Sequence, residues 1–161
     1  MLMQVISRKL IIAISLLTLA GTLSSCGFGT WVSALFGGKV TVNVSINPKV
    51  NQSSPIQTDI LLIYDELLQK QLMTLTAKDW FEKREEIRAN YPEGEGYDVW
   101  QYEWAPGQNV APLQLPMKVK AVGGIVFANY FTAGPHRIPI DPYADISIIF
   151  QEKDFTIEPV K

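Results

Sequence analysis

The most specific chemical pattern in the sequence lies near its N-terminus and ends at Cys26, the only cysteine. The segment Leu23-Ser24-Ser25-Cys26 places an aliphatic residue and two small residues before a thiol. This order is typical of a lipobox, because small residues fit a narrow peptidase site and the thiol sulfur accepts a diacylglyceryl group. We therefore predict a covalent lipid with palmitate-type acyl chains on Cys26, and we expect no other cofactor.

Residues 1–25 have the composition of a signal peptide for export across a bacterial inner membrane. Arg8 and Lys9 form a short basic region, and residues 10–23 are almost entirely apolar and uncharged. Such a stretch is too short to span a bilayer as a helix of the mature protein. We predict a lipoprotein signal peptide. The alternatives are an ordinary signal peptide with an unrelated cysteine, or an uncleaved anchor.

Residues 26–38 are predicted to form the lipidated cysteine and a membrane tether, followed by one domain over residues 39–161. Gly27 follows the cysteine, where an aspartate would signal retention in the bacterial inner membrane, so this position favours the outer membrane, facing the periplasm. The tether contains apolar residues at helical spacing, which indicates either a short helix on the membrane surface or a segment packed on the domain. These residues are Phe28, Trp31, Val32, Leu35 and Phe36.

The residues that catalysis or metal binding would need are sparse. His136 is the only histidine, and its place between two prolines is typical of a loop residue rather than a catalytic base. Acidic neighbours of Gly94 and Gly96 would repel a phosphate. Asp141 and Asp145 stand beside prolines and are interpreted as turn residues. We therefore predict a protein that is not an enzyme and binds no metal.

The charge of the chain argues against a nucleic-acid partner. Loss of Arg8 and Lys9 with the signal peptide leaves 12 basic residues against 16 acidic ones, a net charge of about −4. The sequence also contains no basic run and no arginine cluster, which nucleic-acid binding usually requires.

Most of the remaining sequence has the pattern of β-strands. Residues 40–46 alternate apolar and polar side chains, which predicts a strand with one buried face. Residues 58–64 are apolar on both faces, as in a strand that is covered on both sides. Further strands are predicted at residues 97–104, 119–131, 145–151 and around Phe155 and Ile157, with a bulge or sharp bend at Gly123-Gly124. Short strands with turns between them favour a two-sheet β-sandwich.

One helix is predicted within this β-rich sequence. Thr76 and Asp79 have the spacing of a capping box, and the apolar side of residues 77–89 carries Trp80 and Phe81, which are predicted to be buried against a sheet. Residues 65–75 are compatible with a helix or an irregular segment. In the strand at residues 97–104, the rings at positions 100, 102 and 104 share one face. They form either core or a ligand surface, and core packing is favoured.

The region from residue 40 to the C-terminus resembles the outer-membrane lipoproteins of type VI secretion systems, the TssJ family. The resemblance covers about 120 residues and rests on the order of several short motifs, with Asp59 and Asn129 standing where the family often has arginine. The motifs are Ile46-Asn47-Pro48, Ser54-Pro55-Ile56, Ile63-Tyr64, Lys78-Asp79-Trp80-Phe81, Ala105-Pro106-Gly107-Gln108 and the glycine-containing strand at 122–128.

This resemblance implies a transthyretin-like β-sandwich with a small helical insertion near residues 65–90. It also implies a structural protein of a multimeric membrane complex, which binds the periplasmic domain of an inner-membrane component of the TssM type. The partner-binding loop would consist of Asn47, Pro48, Lys49, Val50, Asn51, Gln52, Ser53, Ser54 and Pro55, with Val50 as a candidate apolar anchor. On composition alone, the same residues favour an ordinary solvated loop between two strands. The alternative is a periplasm-facing lipoprotein that binds a small ligand or inhibits a cell-wall hydrolase.

Overall fold

The computed structural model describes residues 38–160, which form two four-stranded sheets with two helices on one outer face. One sheet has the order β4-β1-β7-β8 and the other has the order β3-β2-β5-β6. The predicted sandwich with a helical insertion is confirmed, whereas the signal peptide, Cys26 and the tether up to residue 37 lie outside the described residues. The elements are β1 (Lys39–Ile46), β2 (Ile56–Ile63), α1 (Glu66–Leu72), α2 (Ala77–Asn90), β3 (Tyr97–Trp104), β4 (Leu113–Pro116), β5 (Gly123–Ala128), β6 (Arg137–Ile140), β7 (Ile146–Phe150) and β8 (Phe155–Pro159).

The alternating sequence of β1 turns one apolar face towards the space between the sheets. Val42 and Ile46 are buried there and belong to the same cluster as Ile60 and Val126 of the opposite sheet. We call this cluster the intersheet core. Burying one such side chain contributes about 1.5–3 kcal/mol relative to leaving it exposed, so the pattern that predicts the strand also supplies much of its stability.

The central strand β2 is buried on both faces, as its apolar sequence predicts. Ile60 faces the intersheet core, while Leu61 and Ile63 face a second cluster beneath the helices, called here the helix-side core. Leu68 and Leu72 of α1 are fully buried in that second cluster. The two helices therefore cover a sheet face that would otherwise be apolar and exposed.

Helix α2 starts with the capping box that the sequence predicts. The Asp79 N–H donates a hydrogen bond to Thr76 Oγ1 at 3.1 Å, and the Thr76 N–H donates to Asp79 Oδ2 at 3.0 Å. These bonds satisfy two backbone donors at the helix start. Hydrogen bonding from the Thr76 side chain, and then from its backbone, lowers the pKa of the Asp79 carboxyl.

Trp80 attaches α2 to the second sheet. Its side chain is 1% exposed and stacks on Phe127 with ring centroids 5.3 Å apart. The prediction that Trp80 and Phe81 are both buried is confirmed for Trp80 and wrong for Phe81, which is half-buried. One residue turns a helix by about 100°, so Phe81 lies at the margin of the buried face, where the Arg84 guanidinium stands 5.4 Å from its ring.

A buried carboxylate also holds α2 in place. Asp59 on β2 is 1% exposed, and its Oδ2 accepts hydrogen bonds from Trp80 Nε1 at 2.9 Å and Arg84 Nη1 at 3.2 Å. Buried charges require such partners because an isolated ion loses its hydration without compensation. Asp59 thus links β2 to two successive turns of α2.

Strand β5 begins at Gly123 rather than at residue 119, so the predicted bulge or sharp bend at Gly123-Gly124 falls at the start of the strand and not in its middle. The register runs without interruption, with Gly124 opposite Leu62 and Gly123 opposite Ile63. Gly124 is required by close neighbours, which include the Leu61 carbonyl at 2.9 Å from an added Cβ atom, whereas the neighbour of Gly123 is the end of a flexible side chain. A Cβ atom on Gly124 would lie 2.7 Å from Ile140 Cγ1, and one on Gly123 would overlap the side-chain amide of Gln69.

Candidate functional site

Several loops meet at one end of the sandwich, which we call the loop end. Strands β1, β3, β5 and β7 end there and β2, β6 and β8 begin there, as their pairing registers show. The loop end therefore comprises residues 47–55, 105–112, 129–136 and 151–154. Lys39 begins β1 at the opposite end of the domain, roughly 25 Å away for an eight-residue strand.

The predicted partner-binding loop, residues 47–55, has an unusual backbone. The Lys49 N–H donates a hydrogen bond to Asn47 Oδ1 at 2.8 Å, which closes a tight turn after β1. Asn51, Gln52 and Ser53 then have φ angles of 47°, 58° and 59°. Residues other than glycine adopt this left-handed region at a cost of roughly 1–2 kcal/mol each, so surrounding contacts must hold the loop in place.

Two buried residues supply those contacts. Val50 is fully buried in the intersheet core, and Asn51 is 2% exposed. The Asn51 side chain donates a hydrogen bond to the Pro55 carbonyl at 3.0 Å and accepts one from the Phe131 N–H at 2.7 Å. The candidate role of Val50 as an exposed apolar anchor is therefore wrong, because the left-handed turn directs its side chain into the core.

The rest of the predicted loop is accessible. Ser54 is half-buried, and the exposed residues present one positive charge together with amide, hydroxyl and ring groups on a fixed backbone. They are Asn47, Pro48, Lys49, Gln52, Ser53 and Pro55.

The neighbouring loop, residues 129–136, presents an aromatic ring to solvent. Phe131 is 67% exposed, and the backbone around it is tied to the 151–154 turn. Tyr130 Oη donates to the Asp154 carbonyl at 2.7 Å, and Thr132 Oγ1 donates to the Lys153 carbonyl at 2.7 Å. Burial, and then the Asp154 carboxylate, raise the pKa of the Tyr130 phenol, so its hydroxyl stays protonated and remains a donor.

His136 has a structural place in this loop, in agreement with its interpretation as a loop residue. It is buried and has a φ of 42°. Its Nδ1 lies 3.0 Å from Asp154 Oδ1, and its Nε2 lies 2.8 Å from the Thr132 carbonyl. Both ring nitrogens are thus occupied by contacts that hold the 129–136 loop against the neighbouring turn.

The aromatic face of β3 belongs to the core. Trp104 is 3% exposed and stacks on Tyr102 with ring centroids 5.0 Å apart, and Trp100 packs against the same intersheet core. Tyr97 and Val99 face the helix-side core, as the alternation predicts. Trp104 is therefore a core residue, and Trp100 and Tyr102 are half-buried against the same core.

The other residues considered for chemistry serve the fold. Asp141 Oδ1 accepts a hydrogen bond from the Tyr143 N–H at 2.9 Å and so closes a turn, and Asp145 Oδ1 accepts one from the Thr41 N–H at 2.6 Å and so joins that segment to β1. Within residues 38–160, no three His, Cys, Asp or Glu side chains are grouped so that they could hold a metal ion. In that same range, no helix is both long enough and apolar enough to cross a membrane.

Solved structures that are similar to this sandwich include components of type VI secretion systems. The chain is similar to the type VI secretion lipoprotein TssJ1 from Pseudomonas aeruginosa, with a TM-score of 0.58, 12% identity, and coverage of 78% of this chain and 98% of that one. It is also similar to Lip from Serratia marcescens, a membrane-bound component of the type VI secretion system, with a TM-score of 0.55 and 17% identity. That likeness covers 76% of this chain and 97% of the Lip chain.

A third similar chain occurs in the structure of the type VI secretion protein TssM C-terminal domain from EAEC, with a TM-score of 0.55, 14% identity, and coverage of 76% of this chain and 98% of that one. No family model and no curated protein matches the sequence. At these identities the likeness establishes a shared fold, which is the fold that the ordered motifs predict.

The exposed ring of Phe131 is a candidate contact that sequence reasoning missed. A single phenylalanine in a predicted strand is ordinarily assigned to the core, and the sequence carries no periodic signal that turns this one outward. Its exposure follows from the end of β5 at Ala128 and from the contact of the Phe131 backbone with Asn51.

Proposed function

We propose that this protein is a structural lipoprotein of the TssJ type, anchored in the outer membrane by a lipid on Cys26. In this role its loop end binds the periplasmic domain of an inner-membrane component of the TssM type, within a multimeric type VI secretion membrane complex. The lipobox supports the anchoring part of the proposal. The fold shared with TssJ1 and Lip supports the assembly part.

The observation that carries the proposal is the rigid exposed surface at the loop end. Lys49 and Gln52 project from a backbone held by the buried Asn51, and Phe131 projects from a backbone bonded to that same Asn51. Loops fixed before binding lose less conformational entropy when a partner docks. Because Val50 is buried, we assign the role of apolar anchor to Phe131, since aromatic residues dominate many interfaces.

The placement of the chain ends agrees with this role. The N-terminal segment enters the domain at Lys39, at the end of the sandwich opposite the loop end. A lipid on Cys26 would therefore leave the loop end directed away from the outer membrane and into the periplasm. That is the direction from which an inner-membrane partner would approach.

No observation favours the alternative of a small-ligand binder or hydrolase inhibitor. A pocket lined by Trp100, Tyr102 and Trp104 would favour that alternative, but these rings pack on the intersheet core. The non-enzymatic role is supported by the engagement of His136 in loop contacts.

Calorimetry with the purified periplasmic domain of the TssM-type partner tests the proposal. Phe131→Ala, and separately the pair Lys49→Ala with Gln52→Ala, should each weaken binding by the full-length protein in detergent at least about tenfold, or about 1.4 kcal/mol. Both changes remove exposed side chains and leave Val50 and Asn51 in place, so the fold should persist.

Leu67→Ala is the matched control, because Leu67 is 70% exposed and lies on α1 rather than at the loop end. It should leave the affinity unchanged. If the wild-type protein does not bind the partner domain, the proposed function is wrong. If Leu67→Ala weakens binding as much as Phe131→Ala, the contact lies elsewhere on the domain.

A further inference from the structure

Three of the four edge strands carry features that block further strand pairing. Strands β4, β6 and β8 have only four, four and five residues, and they contain Pro116, Pro139 and Pro159 respectively. Short edges and edge prolines are common protections against pairing with other chains. Strand β3 is also an edge strand, but it has eight residues and no proline.

The backbone of β3 directs alternate groups outward. The Ile63 and Gln57 carbonyls accept hydrogen bonds from Val122 and Asn129, on the β5 side. In an antiparallel ladder the N–H and C=O of one residue point to the same side and alternate along the strand. The backbone N–H and C=O groups of the even-numbered β2 residues therefore point to β3. The backbone groups of their β3 partners, Trp104, Tyr102, Trp100 and Asp98, point back to β2.

It follows that Val99, Gln101 and Glu103 turn their backbone groups away from β2. The next outward carbonyl, that of Tyr97, accepts a hydrogen bond from the Gly94 N–H at 2.7 Å, which agrees with this direction. No hydrogen bond within residues 38–160 uses the backbone N–H or C=O of these three residues outside the ladder. Their backbone N–H and C=O groups form a row along most of β3 that is available to pair with another strand.

The side chains around this row define the charge of a partner. Gln101 and Glu103 are exposed, and Glu93 and Glu95 are exposed in the turn before β3. Within the described residues, none of these three glutamates forms a salt bridge, whereas Asp98 has Lys118 Nζ at 3.9 Å. A second copy of this edge would bring like charges together, while a basic segment would neutralise them.

A hollow of about 230 Å³ lies beside the row, between β3 and α2. Gln101, Glu103, Phe81 and Arg84 line it. Every second side chain of an added strand would face this hollow, because side chains alternate between the two faces of a sheet.

We propose that the free edge of β3 is a strand-addition site for an extended, lysine- or arginine-containing segment of another protein. The segment would continue the β3-β2-β5-β6 sheet by pairing with the backbone of Val99, Gln101 and Glu103. Main-chain hydrogen bonds supply affinity in this mode of recognition, and side chains supply selectivity. This site is separate from the loop-end contact and does not depend on it.

A short peptide of alternating threonine and lysine, as long as β3, is a suitable probe for the full-length protein in detergent. The peptide should bind and slow amide hydrogen exchange at Val99, Gln101 and Glu103 about tenfold or more. A peptide with glutamate in place of lysine should give no protection. Glu103→Lys should reverse this preference between the two peptides.

Glu103→Pro removes an outward N–H without removing a bond to β2, so it should abolish binding while the melting temperature stays close to that of the wild type. Three outcomes would overturn the proposal. They are unchanged exchange at millimolar lysine peptide, equal protection by both peptides, and protection that rises with protein concentration alone, which would indicate self-association.

Discussion

Asp59 shows how one buried residue decides the position of a whole helix. Its carboxylate accepts hydrogen bonds from the Trp80 indole and the Arg84 guanidinium, and it lies on the central strand. The Arg84 side chain is 32% exposed and retains some contact with water. The buried Asp59 carboxylate therefore needs these hydrogen bonds to replace its lost hydration, while the Arg84 guanidinium can also bond to water.

Asp59→Ala should lower the free energy of unfolding by about 2–4 kcal/mol, because the Trp80 indole N–H loses its acceptor inside the helix-side core. Asp59→Asn keeps one side-chain oxygen and should cost less than Asp59→Ala. Urea denaturation of both variants measures the difference. Equal losses would mean that the charge, rather than the hydrogen bond to Trp80, stabilises the contact.

Val50 marks the limit of sequence reasoning at this scale. The loop at residues 47–55 was located correctly from its two prolines and its polar composition, but the direction of each side chain depends on φ angles that composition does not reveal. Three left-handed residues in succession follow Val50, and its burial depends on that turn. The sequence therefore predicts a loop at residues 47–55 and not which of its residues reach solvent.

At the scale of elements, the cap of α2 gives a pH-dependent prediction. The pKa of Asp79 is lower in the folded protein because Thr76 donates hydrogen bonds to its carboxylate. The cap therefore stabilises the fold fully above the unfolded-state pKa of about 3.9, and its contribution is lost as the pH falls through the folded-state value.

Asp79→Ala should therefore destabilise the protein at pH 7 and should differ less from the wild type at low pH. Denaturation curves of both proteins, recorded from neutral pH to below the unfolded-state pKa, measure this change. Glu82→Ala is the control, since Glu82 is an exposed acid of the same helix with only a 4.0 Å contact to Lys78. A stability difference that is constant with pH would show that the carboxylate charge is not involved.

The contact of α2 with the sheet gives a second prediction. Trp80→Ala should lower the free energy of unfolding by roughly 3–5 kcal/mol, because it leaves a cavity against Phe127. Phe81→Ala should cost only about 1–2 kcal/mol, because its ring is half-buried. Thermal unfolding separates the two, and a melting temperature unchanged by Trp80→Ala would contradict the observed packing.

The strands that sequence analysis located and those it missed differ in a physical way. Strands β1 and β7 alternate clearly, because each buries one face in the intersheet core. Strands β4 and β6 were missed because each has four residues and a proline, and so carries too little periodicity to detect. The bulge or bend predicted in the middle of a strand at Gly123-Gly124 falls instead at the start of β5, and the close packing of Ile140 on Gly124 leaves no local signal in the sequence.

For the whole molecule, the anchor is the decisive prediction. Each buried methylene of an acyl chain adds about 0.8 kcal/mol, so a multiply acylated Cys26 would hold the protein on the membrane almost irreversibly. Cys26→Ser should yield a folded protein that fractionates away from the outer membrane and still binds its partner domain in solution. Recovery of the wild-type protein as a free periplasmic species would contradict the predicted lipid.

The left-handed turn at residues 51–53 has a consequence for the substitutions that this surface tolerates. Gln52 and Ser53 are exposed, yet a β-branched side chain at either position would clash with its own backbone, while glycine or asparagine would fit readily. These positions should therefore vary little among related proteins even where they touch no other molecule. An unchanged residue at position 52 or 53 in related proteins would therefore be explained by the backbone torsion angles, and a contact with a partner would need separate evidence.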